Sequence, residues 1–431
     1  MSPQAQSIKR KFWMFLVPAF ILWMIGEYFF SGFTVDQLNV VVPSLMEFKG
    51  WTTTAITNAN TVGRIINIPL TFVTGTVIIK LGARRVLSFA MILLGVCELC
   101  VAIAGNYVMF FIGMCLQPML GVAILMSTFS LCNAWFRKWR GTALGLVTLT
   151  SPLSSATLIS YLGHGVAFRG YTATFATLGI IVVVVGALMA VLVRNTPEEV
   201  GCFPDAALEA PPPEILADEE GVNRIKIKHI MKYKESWCHF LCFGFMMFTI
   251  GAYAGFFVMR FAEIGLGQGQ LTAMTYLYSI CGAVLSFFSG VIDDKLGTRN
   301  ATILLCALML LGCIGFRFGS ANALWMIVIG MIALGGVVGA SPNLSPSMVV
   351  YLFGRKAFNR VYRLLNCGVY LLAAFGVAFV SVCYKATGNF KLAYTLMIVV
   401  GVIMLACALL MNRKRDLTED VKQDEEKKAA A

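Results

Sequence analysis

Apolar residues along this chain come in long unbroken blocks, with no strand-like alternation. Twelve such windows lie at about 13–46, 52–79, 86–105, 107–135, 141–167, 171–193, 237–262, 270–292, 300–319, 323–352, 358–384 and 389–411. A helix rises 1.5 Å per residue, so about 20 apolar residues cross a hydrocarbon core about 30 Å thick. The pattern predicts an all-α polytopic membrane protein with twelve transmembrane helices. Composition shifts between the sixth and seventh windows, where Pro197, Glu198, Glu199, Pro204, Asp205 and Pro211–Pro213 precede the basic run Arg224 to Lys234. This predicts a six-helix bundle at 1–194, a linker at 195–234, a second six-helix bundle at 235–411 and a tail at 412–431.

Composition agrees. Hydrophobic residues make up 58% and charged residues 13%, against about 25% charged in soluble domains. A soluble enzyme is thereby excluded. No Walker loop or nucleophile–base pair is visible either, so the chain is not expected to be an enzyme. The net charge of +12 could suggest nucleic acid, but its placement argues for topology. With the N-terminus inside, 27 of the 34 Lys and Arg fall in inside segments and six in outside segments, leaving Arg64 within span two. Basic residues are retained on the cytoplasmic side. Both termini and the linker are therefore expected there, and no nucleic-acid partner is expected. The 13 cysteines fall mostly within apolar blocks and form no CxxC pair or zinc-type spacing, so neither metal nor cofactor is expected. No small-residue cleavage site follows the first apolar block, so no cleavable leader is expected.

The halves carry a repeat. Gly75, Lys80, Gly82 and Arg84 after span two recur as Gly290, Lys295, Gly297 and Arg299 after span eight, each displaced by 215 positions. Two six-span repeats around a midplane site form a transporter architecture.

Both loops resemble the signature loop of the major facilitator superfamily, G-x-x-x-D-(R/K)-x-G-x-(R/K). The second copy matches fully, with Asp294 at the acidic position; the first has Ile79 there. Three further stretches resemble the oxalate–formate antiporter and monocarboxylate transporter branches: Pro43 to Trp51, Trp135 to Gly145 and Phe353 to Tyr362. The resemblance implies the major facilitator fold. It also implies transport of small organic anions by rocker-switch alternating access, and gating by Lys80, Arg84, Asp294, Lys295 and Arg299. Oxalate exchangers of this kind are expected to carry an Arg in span eight and a Lys in span eleven. This chain has no basic residue from Gln270 to Ile292, and none in span eleven deeper than Arg363.

Arg64 stands near the centre of span two with Thr53, Thr57, Asn60, Asn67 and Thr71 at helical spacing. A mid-membrane charge costs roughly 2.5–3.5 kcal/mol on insertion scales and needs a partner or a wet cavity. Two readings stand open. Arg64, with Asn60 and Asn67, holds a substrate carboxylate, or Arg64 pairs with Glu27 or Glu98 to join helices. Glu27 and Asp36 in span one are candidate proton-coupling groups. In the second half, Tyr253 on span seven, with Asn366 and Tyr370 on span eleven, are candidate substrate contacts. Pro342 and Pro346 in span ten predict a gating bend.

The sequence thus reads as a secondary transporter of small, monocarboxylate-like organic anions, working by anion exchange or proton symport. Its partners would be that anion, protons in the symport case, and the lipid bilayer. The fold needs no second copy, so a monomer is expected, and compact loops favour a bacterial inner membrane. The alternatives are carriage of larger amphipathic anions such as bile acids, and multidrug efflux. Span five carries Thr148, Thr150 and Ser151 where drug antiporters usually show a glycine-rich G-x-x-x-G-P pattern.

Overall fold

The computed structural model describes residues 3–103, 105–208, 225–254, 256–415, 417, 419 and 420. Every regular element among them is helical. Among the described residues, ten helices are long and apolar enough to cross a membrane. The bent pair Asn58–Asn67 and Pro69–Leu81, at 57° to each other, makes an eleventh. The fifth predicted span is the one too polar to pass that test. It consists of α6 and α7, and Ser151, Ser154, Thr157 and His164 dilute the apolar run of α7.

By internal packing the chain falls into two compact units: residues 1–138 with 150–212, and residues 139–149 with 213–431. The first unit holds α1 (Pro3–Ser31), a π-turn (Gly32–Asp36), α2 (Leu38–Lys49), α3 (Thr53–Leu81), α4 (Ala83–Ile103), α5 (Tyr107–Trp135), α7 (Thr150–Arg169) and α8 (Tyr171–Leu192). The second holds α6 (Arg140–Thr148), α9 (Ile227–Met231), α10 (Lys234–Ala254), α11 (Phe257–Glu263), α12 (Gln268–Leu296), α13 (Thr298–Phe318), α14 (Leu324–Phe353), α15 (Phe358–Ala373), α16 (Gly376–Thr387) and α17 (Lys391–Leu410). Residues 139–149 pack with the second unit, although the sequence boundary set them with the first. The acidic centre of the predicted linker, 209–224, lies outside the described residues.

Caps start the helices where the sequence offers them. Thr52 accepts from the Ala55 N–H at 3.3 Å ahead of α3, and Asn106 accepts from the Met109 N–H at 2.9 Å ahead of α5, satisfying donors that have no intrahelical partner. The repeat seen in the sequence is present in the backbone. α3 ends at Gly82 with φ +83°, and α12 ends at Gly297 with φ +86°. Both positions need a residue without Cβ, so the same turn leads into α4 and into α13.

In hydrocarbon, helix association relies on close packing and small residues rather than on the hydrophobic effect. A Cβ on Gly63 of α3 would lie 2.3 Å from the Cys115 carbonyl oxygen of α5. A Cβ on Gly339 of α14 would lie 2.0 Å from the Gly282 carbonyl oxygen of α12. α6 meets α12 the same way: a Cβ on Gly290 would lie 2.2 Å from the Gly141 carbonyl oxygen. α14 runs through Pro342 and Pro346 as one continuous helix of 30 residues. Neighbouring side chains bond its backbone and polar groups. His239 of α10 lies 3.2 Å from the Ser345 carbonyl, and Asn343 donates to the Ser286 carbonyl at 3.2 Å and to Ser289 at 3.0 Å.

Candidate functional site

The first span is interrupted where its chemistry lies. After Ser31 the helix widens into the π-turn, closed by the Gln37 N–H on the Gly32 carbonyl at 2.8 Å. Single π-turns inside spans are often functional. Gly32 is required there by space, because a Cβ would lie 2.1 Å from Leu158 Cδ2 and 2.7 Å from Ser154 Oγ. Two carbonyls of the turn receive side-chain donors. Phe33 takes Gln37 Nε2 at 2.6 Å. Thr34 takes Arg64 Nη2 at 2.7 Å and Asn60 Nδ2 at 3.4 Å. Arg64 Nε also donates to Asn60 Oδ1 at 2.7 Å. Gly63 abuts α5, so the next residue projects from another face of α3, toward the π-turn. The Arg64 side chain is exposed and Asn60 is buried.

Two hydroxyl pairs join α1 to α7 in the same unit. Tyr28 pairs with Thr157 at 2.8 Å, and Ser31 pairs with Ser151 at 2.7 Å. None of these four was a sequence candidate. The three-residue spacing of Ser151, Ser154 and Thr157 was the available signal, since it marks one helix face.

The remaining candidates of this unit are placed as follows. Asn67 follows Arg64 by three residues; its Oδ1 is buried without a hydrogen-bond partner. Glu27 is buried, with Oε2 unpartnered, one turn after Trp23, whose indole N–H is also unpartnered. The side chains of Asp36, Thr53 and Thr57 lie outside what the structure describes. Glu98, one helix-joining partner suggested for Arg64, instead accepts from Gln117 Nε2 at 2.7 Å.

In the second unit the three sequence candidates differ. Tyr253 has no exposed surface. It stacks on Phe316 of α13 with centroids 4.5 Å apart and meets Tyr394 of α17 at 4.8 Å. In this arrangement the aromatic stripe of span seven is used in packing. Asn366 is buried on α15 with an unpartnered Nδ2. Tyr370, one turn further on, is half-buried. Arg260, a further basic residue of this unit, is buried. It pairs with Glu263 at 2.8 Å, donates to the Gly319 carbonyl at 3.3 Å and lies over the Tyr394 ring.

The repeated loops are engaged within their own units. Arg84 donates from its side chain to the Ala190 carbonyl, and its N–H bonds Asn195 Oδ1 at 2.9 Å. Arg299 donates to the Leu409 carbonyl at 3.0 Å. Lys80 and Lys295 occupy the last turns of α3 and α12. Asp294 caps α6: its carboxylate accepts from the N–H groups of Gly141 at 2.8 Å and Thr142 at 2.6 Å, and from the Thr142 hydroxyl. A carboxylate at a helix N-terminus meets both the orphan N–H groups and the positive end of the helix dipole.

Comparison with known proteins then places the chain. The family model described as Major Facilitator Superfamily matches residues 24–320 and 240–431. No curated protein matches the sequence. Among solved structures, the chain is similar to FucP, a transporter of that superfamily, in its outward conformation. Identity is 12%, TM-score 0.67, over 93% of this chain and all of the other. A variant of the E. coli fucose:proton symporter FucP has TM-score 0.69 at 12% identity, over 93% of this chain and all of the other. A bacterial homologue of the iron transporter ferroportin in an outward-facing state has TM-score 0.69 at 11% identity, over 91% of this chain and 99% of the other. At these identities the likeness is one of fold.

Proposed function

The chain belongs to the Major Facilitator Superfamily and is a multi-pass membrane transporter, not an enzyme; from that premise we propose that it carries small monocarboxylate-like organic anions by alternating access. The observation that carries this reading is the exposed Arg64 guanidinium in a spanning helix, anchored to the broken backbone of span one. An exposed charge at membrane depth is tolerable beside water and costly beside lipid. A guanidinium offers a planar fork of donors that matches a carboxylate. Tyr28, Ser31, Ser151 and Thr157 add hydroxyl donors to the same unit, suited to a small polar solute. Asn67 and Asn60 continue the stripe, and Asn366 and Tyr370 are the contacts proposed from the second repeat.

Glu27, a buried carboxyl on the helix that carries the π-turn, is the proposed proton carrier if coupling is by symport; anion exchange needs no such group. Asp294, Arg84, Arg299, Lys80 and Lys295 are proposed to hold the gating loops. The basic-residue asymmetry supports both termini on the cytoplasmic side; a fold that needs no second copy supports a monomer, and the compact loops support a bacterial inner membrane.

The test is counterflow in proteoliposomes. The panel is lactate-like monocarboxylates, dicarboxylates, a bile acid, L-fucose, ferrous iron and a cationic dye, with Arg64→Gln in parallel. Monocarboxylate exchange that vanishes in Arg64→Gln supports the proposal. Flux of fucose, iron or dye that ignores Arg64, with no anion flux, overturns it.

A further inference from the structure

Three polar side chains without exposed surface lie between the π-turn and the interior of the first unit: Gln37 on the turn's end, Gln117 on α5 and Glu98 on α4. Burying such groups costs several kcal/mol unless they are joined. They are joined in one direction. Glu98 Oε2 accepts from Gln117 Nε2 at 2.7 Å. Gln117 Oε1 accepts from Gln37 Nε2. The same Gln37 nitrogen donates to the Phe33 carbonyl at 2.6 Å, next to the Thr34 carbonyl that holds Arg64. Gln37 also closes the π-turn through its backbone N–H. Gln117 has both ends committed and Gln37 its nitrogen, so neither amide can turn over without breaking its neighbour's bond.

We propose that Glu98 is a positioning residue for the Arg64 site, acting through Gln117 and Gln37 to hold the π-turn carbonyls in place. This rests on the reading of Arg64 as the anion contact. Glu98 does not touch the solute. Its role is to accept one hydrogen bond, which orients the Gln117 amide so that its oxygen faces Gln37. The titratable groups around it are Cys97 on its own helix and Tyr171 on α8, whose hydroxyl donates to the Val101 carbonyl at 3.3 Å. Neither competes for the Gln117 amide, so the relay has one acceptor at its inner end.

An acceptor is what the geometry needs, and a negative charge is not. Glu98→Gln keeps an oxygen for Gln117, whereas Glu98→Leu and Gln117→Leu cut the relay. The test measures uptake kinetics of the four proteins and the infrared spectrum of purified wild type, Glu98→Gln and Arg64→Gln. The carboxyl band lost in Glu98→Gln identifies Glu98. Losing one link is expected to raise KM about tenfold, equivalent to about 1.4 kcal/mol, the scale of a hydrogen bond. Vmax should stay within about twofold, and Glu98→Gln should behave like wild type. The Glu98 band should shift in Arg64→Gln, because the two ends share the turn. An unshifted band overturns the relay whether or not any anion is carried. Glu98→Gln as defective as Glu98→Leu overturns the positioning role even if the band shifts. A shifted band in a protein without anion flux leaves the relay standing and sinks only the anion reading.

Discussion

Arg64 donates to the Thr34 carbonyl at 2.7 Å, tying the middle of span two to the π-turn of span one. Its Nε simultaneously reaches Asn60 Oδ1. Lysine carries the charge but not the fork, so it cannot make both contacts in one plane. Arg64→Lys is expected to raise KM for a monocarboxylate about tenfold, the effect of one charge-assisted hydrogen bond of about 1.5 kcal/mol. Arg64→Gln should abolish measurable uptake. Equal transport by both variants and wild type would show that Arg64 is structural.

The π-turn itself is open to a packing test. Gly32→Ala places a methyl against Leu158 and Ser154, both buried. Overpacking of this kind typically costs about 1–3 kcal/mol. Thermal unfolding in detergent should show that loss, and Leu158→Ala in the same protein should return part of it. Additive losses in the double variant would mean the clash is relieved elsewhere.

Asp293 and Asp294 are adjacent and should respond in opposite ways. Asp294 caps α6 with both oxygens. Asp293 is buried with both oxygens unpartnered. Asp294→Asn is expected to cost about 1 kcal/mol, the size of a lost cap. Asp293→Asn should be neutral or stabilising, because it removes a charge that nothing compensates. A melting experiment on the two variants decides it, and the reverse order would refute the assignment.

Glu235, fully buried at the start of α10, is held by Arg415 in a two-point contact at 2.8 and 3.0 Å. Removing one partner of a buried pair typically costs about 3–5 kcal/mol, whereas replacing both is often near neutral. Arg415→Met should therefore destabilise strongly, and Glu235→Gln added to it should recover most of the loss. If the double variant is no better than the single one, the pair is not what the segment contributes.

Tyr233 beside this pair donates to Asp420 at 2.5 Å. Burial and that carboxylate push its hydroxyl from the usual 10 up to about 12. The raised value means the contribution is fully present below about pH 10 and is lost as pH climbs toward 12, because the unfolded chain loses its proton first. Tyr233→Phe should flatten the stability profile in that window and lower stability by a constant amount at pH 7, where the bond to Asp420 is intact.

What the sequence revealed depended on the range of the cause. The α3 stripe of Asn60, Arg64 and Asn67 was legible because helical spacing is local. So was the Gly82 and Gly297 pair, since a positive φ imposes its residue wherever it occurs. The π-turn was not legible, because it is maintained by Arg64 and Asn60 from another helix. The Gln37–Gln117–Glu98 series is spread over three helices and has no spacing to read. Tyr253 shows the opposite case: a polar-tipped aromatic looks the same in sequence whether it faces a solute or, as here, Phe316 and Tyr394.

Where Gly141 and Gly290 approach, α6 and α12 meet backbone to backbone, and the side chain seated beside the contact is Asp293, 2.7 Å from where a Gly141 Cβ would stand. Where knobs fill holes, one helix can move past another only by lifting out first. A glycine-on-glycine crossing offers few such knobs, so what resists sliding there is polar bonding more than interlocked side chains. The position of α6 is then set by what grips it: the Asp294 carboxylate, the Arg140 bond to Thr298 at 3.2 Å and the Thr148–Ser286 hydroxyl pair at 2.8 Å. Undoing those polar fastenings would leave the nine residues of α6 held at this crossing mainly by backbone contact.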